Sequence, residues 1–194
     1  ITVLYGSNSG LSAPSSLRQY SPGIGTHSEV GDLFGFSLAS GDINGDSYDD
    51  LVVGVPGEGV AKQERAGLAH VIYGSNNGLN GEGSTTLHQY TRRIRSKPEV
   101  DDAFSEAIAV GNINGDQYDD IVIGVPGETV GWGVRTKYEA GALHILYGSA
   151  DGTSGTGSDW YYQNSPNWPG RAEIGDRFAS ALAIGDIDND GIGD

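Results

Sequence analysis

Cysteine and methionine are both missing from this 194-residue chain. Without cysteine there is no disulfide framework and no thiolate metal site, so redox compartment cannot be read from the sequence. With Ile1 first and no methionine anywhere, the chain shows no natural start, and any signal peptide is expected to have been lost or never included. No apolar run approaches the length needed to span a bilayer. Bases are scarce too: 11 Lys and Arg stand against 26 Asp and Glu, for a net charge of −15. Such a surface repels nucleic acid and suits metal cations or basic partners. No segment carries a helical period.

What the chain has is glycine, 32 residues of it, and a long internal repeat. Frequent glycine without a collagen period implies tight turns between short strands. Three segments align: SLRQYS to GDINGDSYDD from Ser16, TLHQYT to GNINGDQYDD from Thr86, and YYQNSP to GDIDNDGIGD from Tyr161. Gln19 to Phe34, Gln89 to Phe104 and Gln163 to Phe178 are each 15 residues. Asp42 to Asn112 is 70 residues and Asn112 to Asp186 is 74. DLVVGVPGE from Asp50 recurs as DIVIGVPGE from Asp120, and VLYGS, VIYGS and ILYGS end at Ser7, Ser75 and Ser149.

Each repeat reads as four short strands bounded by Gly, Asn and Asp. Strand A carries small residues (Ser37, Ala39; Ala107, Ala109; Ala181, Ala183), B is LVVGV or IVIGV, C is of the HVIYG type, and D of the LHQY type. Four antiparallel strands repeated head to tail make an all-β propeller, with strand A innermost where blades crowd. A twisted sandwich is the alternative, but it has no need of a repeat this long. The expected division is residues 1–30 as the C and D strands of a preceding blade, 31–100 and 101–174 as complete blades, and 175–194 as the start of a third. That gives eleven strands, too few to close a ring. A fragment of a larger propeller is the simplest expectation, with an incomplete sequence or assembly of copies as the others.

Between strands A and B, oxygen-bearing side chains alternate. The first loop offers Asp42, Asn44, Asp46 and Asp50 with the Tyr48 carbonyl, and the second Asn112, Asn114, Asp116 and Asp120 with the Tyr118 carbonyl. The third offers Asp186, Asp188, Asp190 and Asp194 with the Ile192 carbonyl. Donors at alternate positions of a tight loop suit Ca2+, which takes six to eight hard oxygens. The all-oxygen set disfavours zinc and copper, and magnesium less decisively. Asp, Asn and Gly are also common turn residues. Three copies in one context, with carboxylates that would repel one another without a cation, point to two or three calcium sites.

These motifs resemble the FG-GAP repeat, the blade of integrin α-subunit propellers, over nearly the whole chain. Phe34-Gly35 matches the FG element, and Gly54-Val55-Pro56 and Gly124-Val125-Pro126 match GAP with valine for alanine. Phe104-Ser105 and Phe178-Ala179 keep the aromatic and lose the glycine. The resemblance implies calcium bound through positions 1, 3, 5, 7 and 9 of the loop, a seven-bladed parent with further blades, and an extracellular setting. It also implies adhesion or ligand binding, although fold alone does not fix function. Position 6, usually glycine in that family, is Ser47, Gln117 and Gly191, so a left-handed turn there is expected to cost the second loop most.

Alternating strand direction puts the A–B and C–D loops on one face and the B–C and D–A loops on the other. The first face is uniformly acidic. The second carries nine of the eleven bases, two of three tryptophans, and the length change, since Pro56 to Tyr73 is 17 residues and Pro126 to Tyr147 is 21. Variable loops on a rigid scaffold are where binding concentrates. Arg93, Trp132, Arg135, Tyr138 and Trp168 are therefore the candidate contacts for a protein or glycan partner; solvated loops with stray aromatics are the alternative. Catalysis is not expected: His70 and His144 occupy the same repeated strand position, and no nucleophile motif accompanies His27. The readings carried forward are a binding module, an accessory propeller of a secreted hydrolase, and a structural spacer.

Overall fold

A computed structural model describes residues 1–11 and 14–194. The described residues hold twelve short strands and one 3-10 turn, Gly133–Arg135. Strands β1 (Thr2–Val3) and β4 (Ser15–Ser16) pair antiparallel, with the small hairpin β2 (Gly6–Ser7) and β3 (Gly10–Leu11) between them. One four-stranded antiparallel sheet follows in the order β5 (Leu38–Gly41), β6 (Asp50–Val55), β7 (Leu68–Ile72), β8 (Thr85–Leu87). A second repeats it as β9 (Ile108–Gly111), β10 (Asp120–Val125), β11 (Ala142–Leu146), β12 (Asp159–Tyr161). Registers match: Val53 opposes His70 and Leu38, and Ile123 opposes His144 and Ile108. These are two propeller blades.

The continuous apolar strands are buried because each blade packs a neighbour on its face. One core joins the two blades, bringing Val52, Val71 and Leu87 of the first against Phe104, Ile121 and Ile123 of the second. A smaller one, with Leu17, Ile24, Val53 and Ile72, joins the first blade to the strands before it. The inner strands β5 and β9 touch, which explains their small residues. Gly54 has no room for a side chain, since a Cβ there would lie 2.5 Å from the Ser105 carbonyl oxygen of the next blade.

Two expectations change. In the complete blades strand D ends at the first residue of the LHQY-type motif, Leu87 or Tyr161, because the hydroxyls of Thr91 and Ser165, like that of Ser21 in the copy before them, accept from the N–H groups of His88, Tyr162 and Arg18 and turn the chain out of the sheet. The third strand A, around Ala181 and Ala183, is not a strand, since among the described residues it has no strand B to pair with. The lost glycine of FG does not change the backbone: Gly35, Ser105 and Ala179 are all left-handed, at φ 85°, 73° and 65°. Ser105 offsets that strain by binding across the joint. Its Oγ donates to the Leu68 carbonyl at 2.5 Å and accepts the Val55 N–H at 3.1 Å.

Candidate metal centre and partner face

Each A–B loop is closed at its base by a backbone pair between the residues flanking it: Gly41 with Asp50, Gly111 with Asp120, and Gly185 with Asp194. Asp50 and Asp120 are wholly buried. One oxygen of each accepts the N–H of the loop's second residue, Ile43 at 3.1 Å and Ile113 at 3.2 Å. The other accepts from the C–D loop, Gly74 at 2.8 Å and Gly148 at 3.0 Å. This places the A–B and C–D loops on one face. Burial pushes the Asp50 carboxyl up to about 6 against the pull of those N–H donors, and Asp120 shifts the same way.

Within the first loop the Asp42 carboxylate accepts from Gly45, Asp46 and Ser47 at 2.8–3.0 Å. Asn44 Oδ1 accepts from Asp46, and Asp46 Oδ1 from Tyr48. The third loop repeats the pattern, with Asp186 accepting from Asp190 and Gly191, and Asp194 from Ile187. In the second, Asn112 Oδ1 accepts only from Gly115, and its amide nitrogen donates to the Asp116 carbonyl at 2.5 Å. Asn114 and Asp116 keep their places. Ser47 and Gly191 are left-handed, at φ 71° and 89°, whereas Gln117 is not, so the second loop avoids the expected cost by adopting another turn.

Asp186, Asp188 and Asp194 each present an oxygen within 4.8 Å of the others, a spacing that oxygens 2.3–2.6 Å from one ion can span. The carbonyls of Tyr48, Tyr118 and Ile192 accept no hydrogen bond among the described residues, leaving their lone pairs available. The third loop thus fits a hard divalent cation, whereas among the described residues the three aspartates of the first, Asp42, Asp46 and Asp50, are not drawn together to that spacing.

Neighbouring loops are tied together. Asp119 N–H donates to the Asp42 carbonyl while its carboxylate accepts the Asp42 N–H, both at 2.9 Å, and Gly193 N–H donates to the Asn112 carbonyl at 2.7 Å. The YGS elements form the C–D turns: Ser7, Ser75 and Ser149 donate their hydroxyls to the carbonyls of Gly10, Gly78 and Gly152.

The five candidate partner residues fall in three settings. Trp132 is nearly fully exposed and lines a cleft of about 510 Å³ with Arg95, Lys97, Glu99, Glu128 and Trp160. Arg135 and Tyr138 lie on the same loop. Trp168 packs on Tyr161 and edge-on to Phe178, with ring centroids 5.6 and 5.3 Å away. Arg93 is left-handed, and its carbonyl accepts from Ser158 beside the second blade's C–D loop.

Sequence reasoning used Gln19 and Gln89 only as repeat landmarks and did not group them with Asp32 and Glu58, or Asp102 and Glu128, with which they form clusters between blades, the second buried and the first partly so. The signal was present, since Gln, Asp and Glu recur at the same spacing in both complete copies.

Comparison with known proteins agrees with this geometry. The family model for the FG-GAP repeat matches residues 34–72 and 104–146, from each Phe of the FG element to the end of β7 or β11. Two segments of the chain thus match the FG-GAP repeat. Phosphatidylinositol-glycan-specific phospholipase D of Rattus norvegicus is 32% identical over 118 residues, 61% of this chain and 13% of that protein. Integrin alpha-3 of Cricetulus griseus is 27% identical over 165 residues, 82% of this chain and 14% of that protein. Integrin alpha-PS2 of Drosophila melanogaster is 26% identical over 161 residues, 82% and 10%. The chain thus spans only a small part of the length of these relatives. Among the described residues, no helix is long and apolar enough to cross a membrane.

Proposed function

We propose that this chain is part of a calcium-stiffened extracellular propeller that offers its B–C and D–A loops to a protein or glycan partner and performs no catalysis itself. The observation that carries the calcium reading is the convergence of Asp186, Asp188 and Asp194 in a loop built three times over. Calcium is preferred to magnesium because a wide, irregular oxygen set suits its flexible coordination. When bound, the ion would neutralise the acidic face and hold each loop against its neighbour. Asp42, Asn44, Asp46, Asp50 and the Tyr48 carbonyl would ligate the first ion, Asn112, Asn114, Asp116, Asp120 and the Tyr118 carbonyl the second, and Asp186, Asp188, Asp190, Asp194 and the Ile192 carbonyl the third.

The histidines favour a binding role. His70 and His144 are fully buried, and burial holds them down at about 4 and about 3, so neither exchanges protons near neutrality. The integrin relatives support adhesion, and the cleft beside Trp132 is the partner-facing feature we favour. The second reading, an accessory propeller beside a hydrolase domain, is favoured by the phospholipase relatives and their somewhat higher identity over a shorter stretch.

Thermal unfolding tests the calcium reading. A ligand bound only by the folded state stabilises it by about 2.7 kcal/mol at a hundredfold excess over Kd. EGTA should lower Tm and added calcium should restore it; superimposable curves in both would sink the reading.

A further inference from the structure

Away from the acidic loops, each joint between blades gathers a pair of carboxyl groups around one glutamine, both buried at the second joint, and at the first with Asp32 buried and Glu58 half-buried. At the first joint the Gln19 amide nitrogen donates to Asp32 Oδ2 at 3.0 Å and to Glu58 Oε2 at 2.6 Å. At the second, the Gln89 amide nitrogen donates to Glu128 Oε2 at 2.6 Å and faces Asp102, while the Ser96 hydroxyl donates to Glu128 Oε1 at 2.5 Å. The glutamine follows one blade's outer strand and the glutamate follows the next blade's GVPG turn, so each cluster bridges two blades.

Asp102 is fully buried and Glu128 is 4% exposed. The charges around them are mostly of their own sign. Glu99 and Asp101 lie on the same connection, and Arg65 already holds Asp101 at 2.6 Å. Arg95 and Lys97 line the cleft that Glu128 borders, but no ion pair reaches Asp102, Glu128, Asp32 or Glu58 among the described residues. Glu29 is the further charge facing the first pair. Two buried carboxylates sharing one amide donor repel each other strongly when both are ionised. Asp102 Oδ1 and Gln89 Oε1 are both buried acceptors without a donor.

We propose that Asp102 and Glu128 share one proton at neutral pH and act as a pH-dependent lock on the joint between the two complete blades, with the half-buried Glu58 as a weaker counterpart at the first joint. Burial is the main cause of the upward shifts, Asp102 and Glu58 to about 7 and Glu128 to about 8. The folded chain therefore keeps protons that the unfolded chain releases above its ordinary carboxyl range near pH 4–4.5. The lock's contribution is complete below that range and is lost as pH rises through about 8.

The experiment follows unfolding from pH 5 to 9 in saturating calcium for the chain and its Glu128→Gln and Asp102→Asn variants. The wild-type folding constant should fall about tenfold per pH unit for each pair that holds a proton, and each variant should lose one pair's share of that slope. In parallel, 13C spectra of the glutamate Cδ atoms should show a resonance titrating above pH 6 that Glu128→Gln removes. That readout needs only the wild type if a variant fails to fold, and it is separate from the aspartates of the metal loops. Glutamate carbons that all titrate below pH 5 would overturn the lock. So would a slope that both variants retain.

Discussion

The first and second A–B loops share seven of nine residues, yet fold differently at one corner. In the first, Asp42 has two acceptor oxygens and gathers three N–H groups, drawing Ser47 into a left-handed conformation. In the second, Asn112 has one acceptor oxygen. Its amide nitrogen turns to the Asp116 carbonyl, and Gln117 stays out of the left-handed region. The third loop follows the first, with Asp186 at position 1 accepting from Asp190 and Gly191 and with Gly191 left-handed at the corner. The hydrogen bonds point to the residue at position 1 as what sets the turn at position 6. A charged acceptor offsets the roughly 1 kcal/mol strain of a non-glycine corner, and an amide does not.

The largest effect should come from what the two loops have in common. Asp50→Ala and Asp120→Ala each strand two N–H groups, one from the loop and one from the C–D turn. Each should cost about 3 kcal/mol in calcium-free unfolding experiments. Equal losses would mark a shared structural role beneath the unequal metal sites. A loss under about 0.5 kcal/mol in either would show that the C–D turn does not depend on this carboxylate.

Much of this architecture was legible because repeats repeat their causes. The constant spacing from Gln19, Gln89 and Gln163 located the blades, and the alternating oxygens located the loops. The conformation of Gln117 was not legible, since the argument from position 6 alone ignored its hydrogen-bond partner at position 1. Nor was the role of Ser105, where a hydroxyl compensates for a missing glycine across a joint that sequence cannot show. The buried clusters escaped notice because glutamine and glutamate read as surface residues until tertiary packing covers them. The third strand A failed for a different reason: propensity makes a strand only where a ladder exists to receive it.

A medium effect should follow from exchanging the residue at position 1. Asp42→Asn removes a charge and two acceptor contacts from the first loop, and Asn112→Asp supplies both to the second. Ligand charge tunes affinity in oxygen sites, so calcium should bind about tenfold more weakly to the first variant and about tenfold more tightly to the second, ~1.4 kcal/mol each way. Isothermal titration of each variant against the wild type measures both shifts. If Asn112→Asp left every calcium constant unchanged, the second loop would be a turn and not a site.

The smallest effect probes position 6 directly. Ser47→Gly relieves a left-handed serine at φ 71°, a gain of roughly 1 kcal/mol, and loses part of it to the greater freedom of the unfolded glycine. A net stabilisation of about 0.5 kcal/mol remains. Gln117→Gly has no such strain to relieve, so only the entropic loss applies, and it should destabilise by about 0.5–1 kcal/mol. Opposite signs from one substitution at equivalent positions, read by chemical denaturation without calcium, are the signature expected if position 1 dictates the corner. Were both changes stabilising, Gln117 would be carrying left-handed strain after all. In the double variant Asn112→Asp with Gln117→Gly, the glycine should turn from harmful to favourable, because the new carboxylate can now draw that corner into the turn made by Asp42 and Ser47.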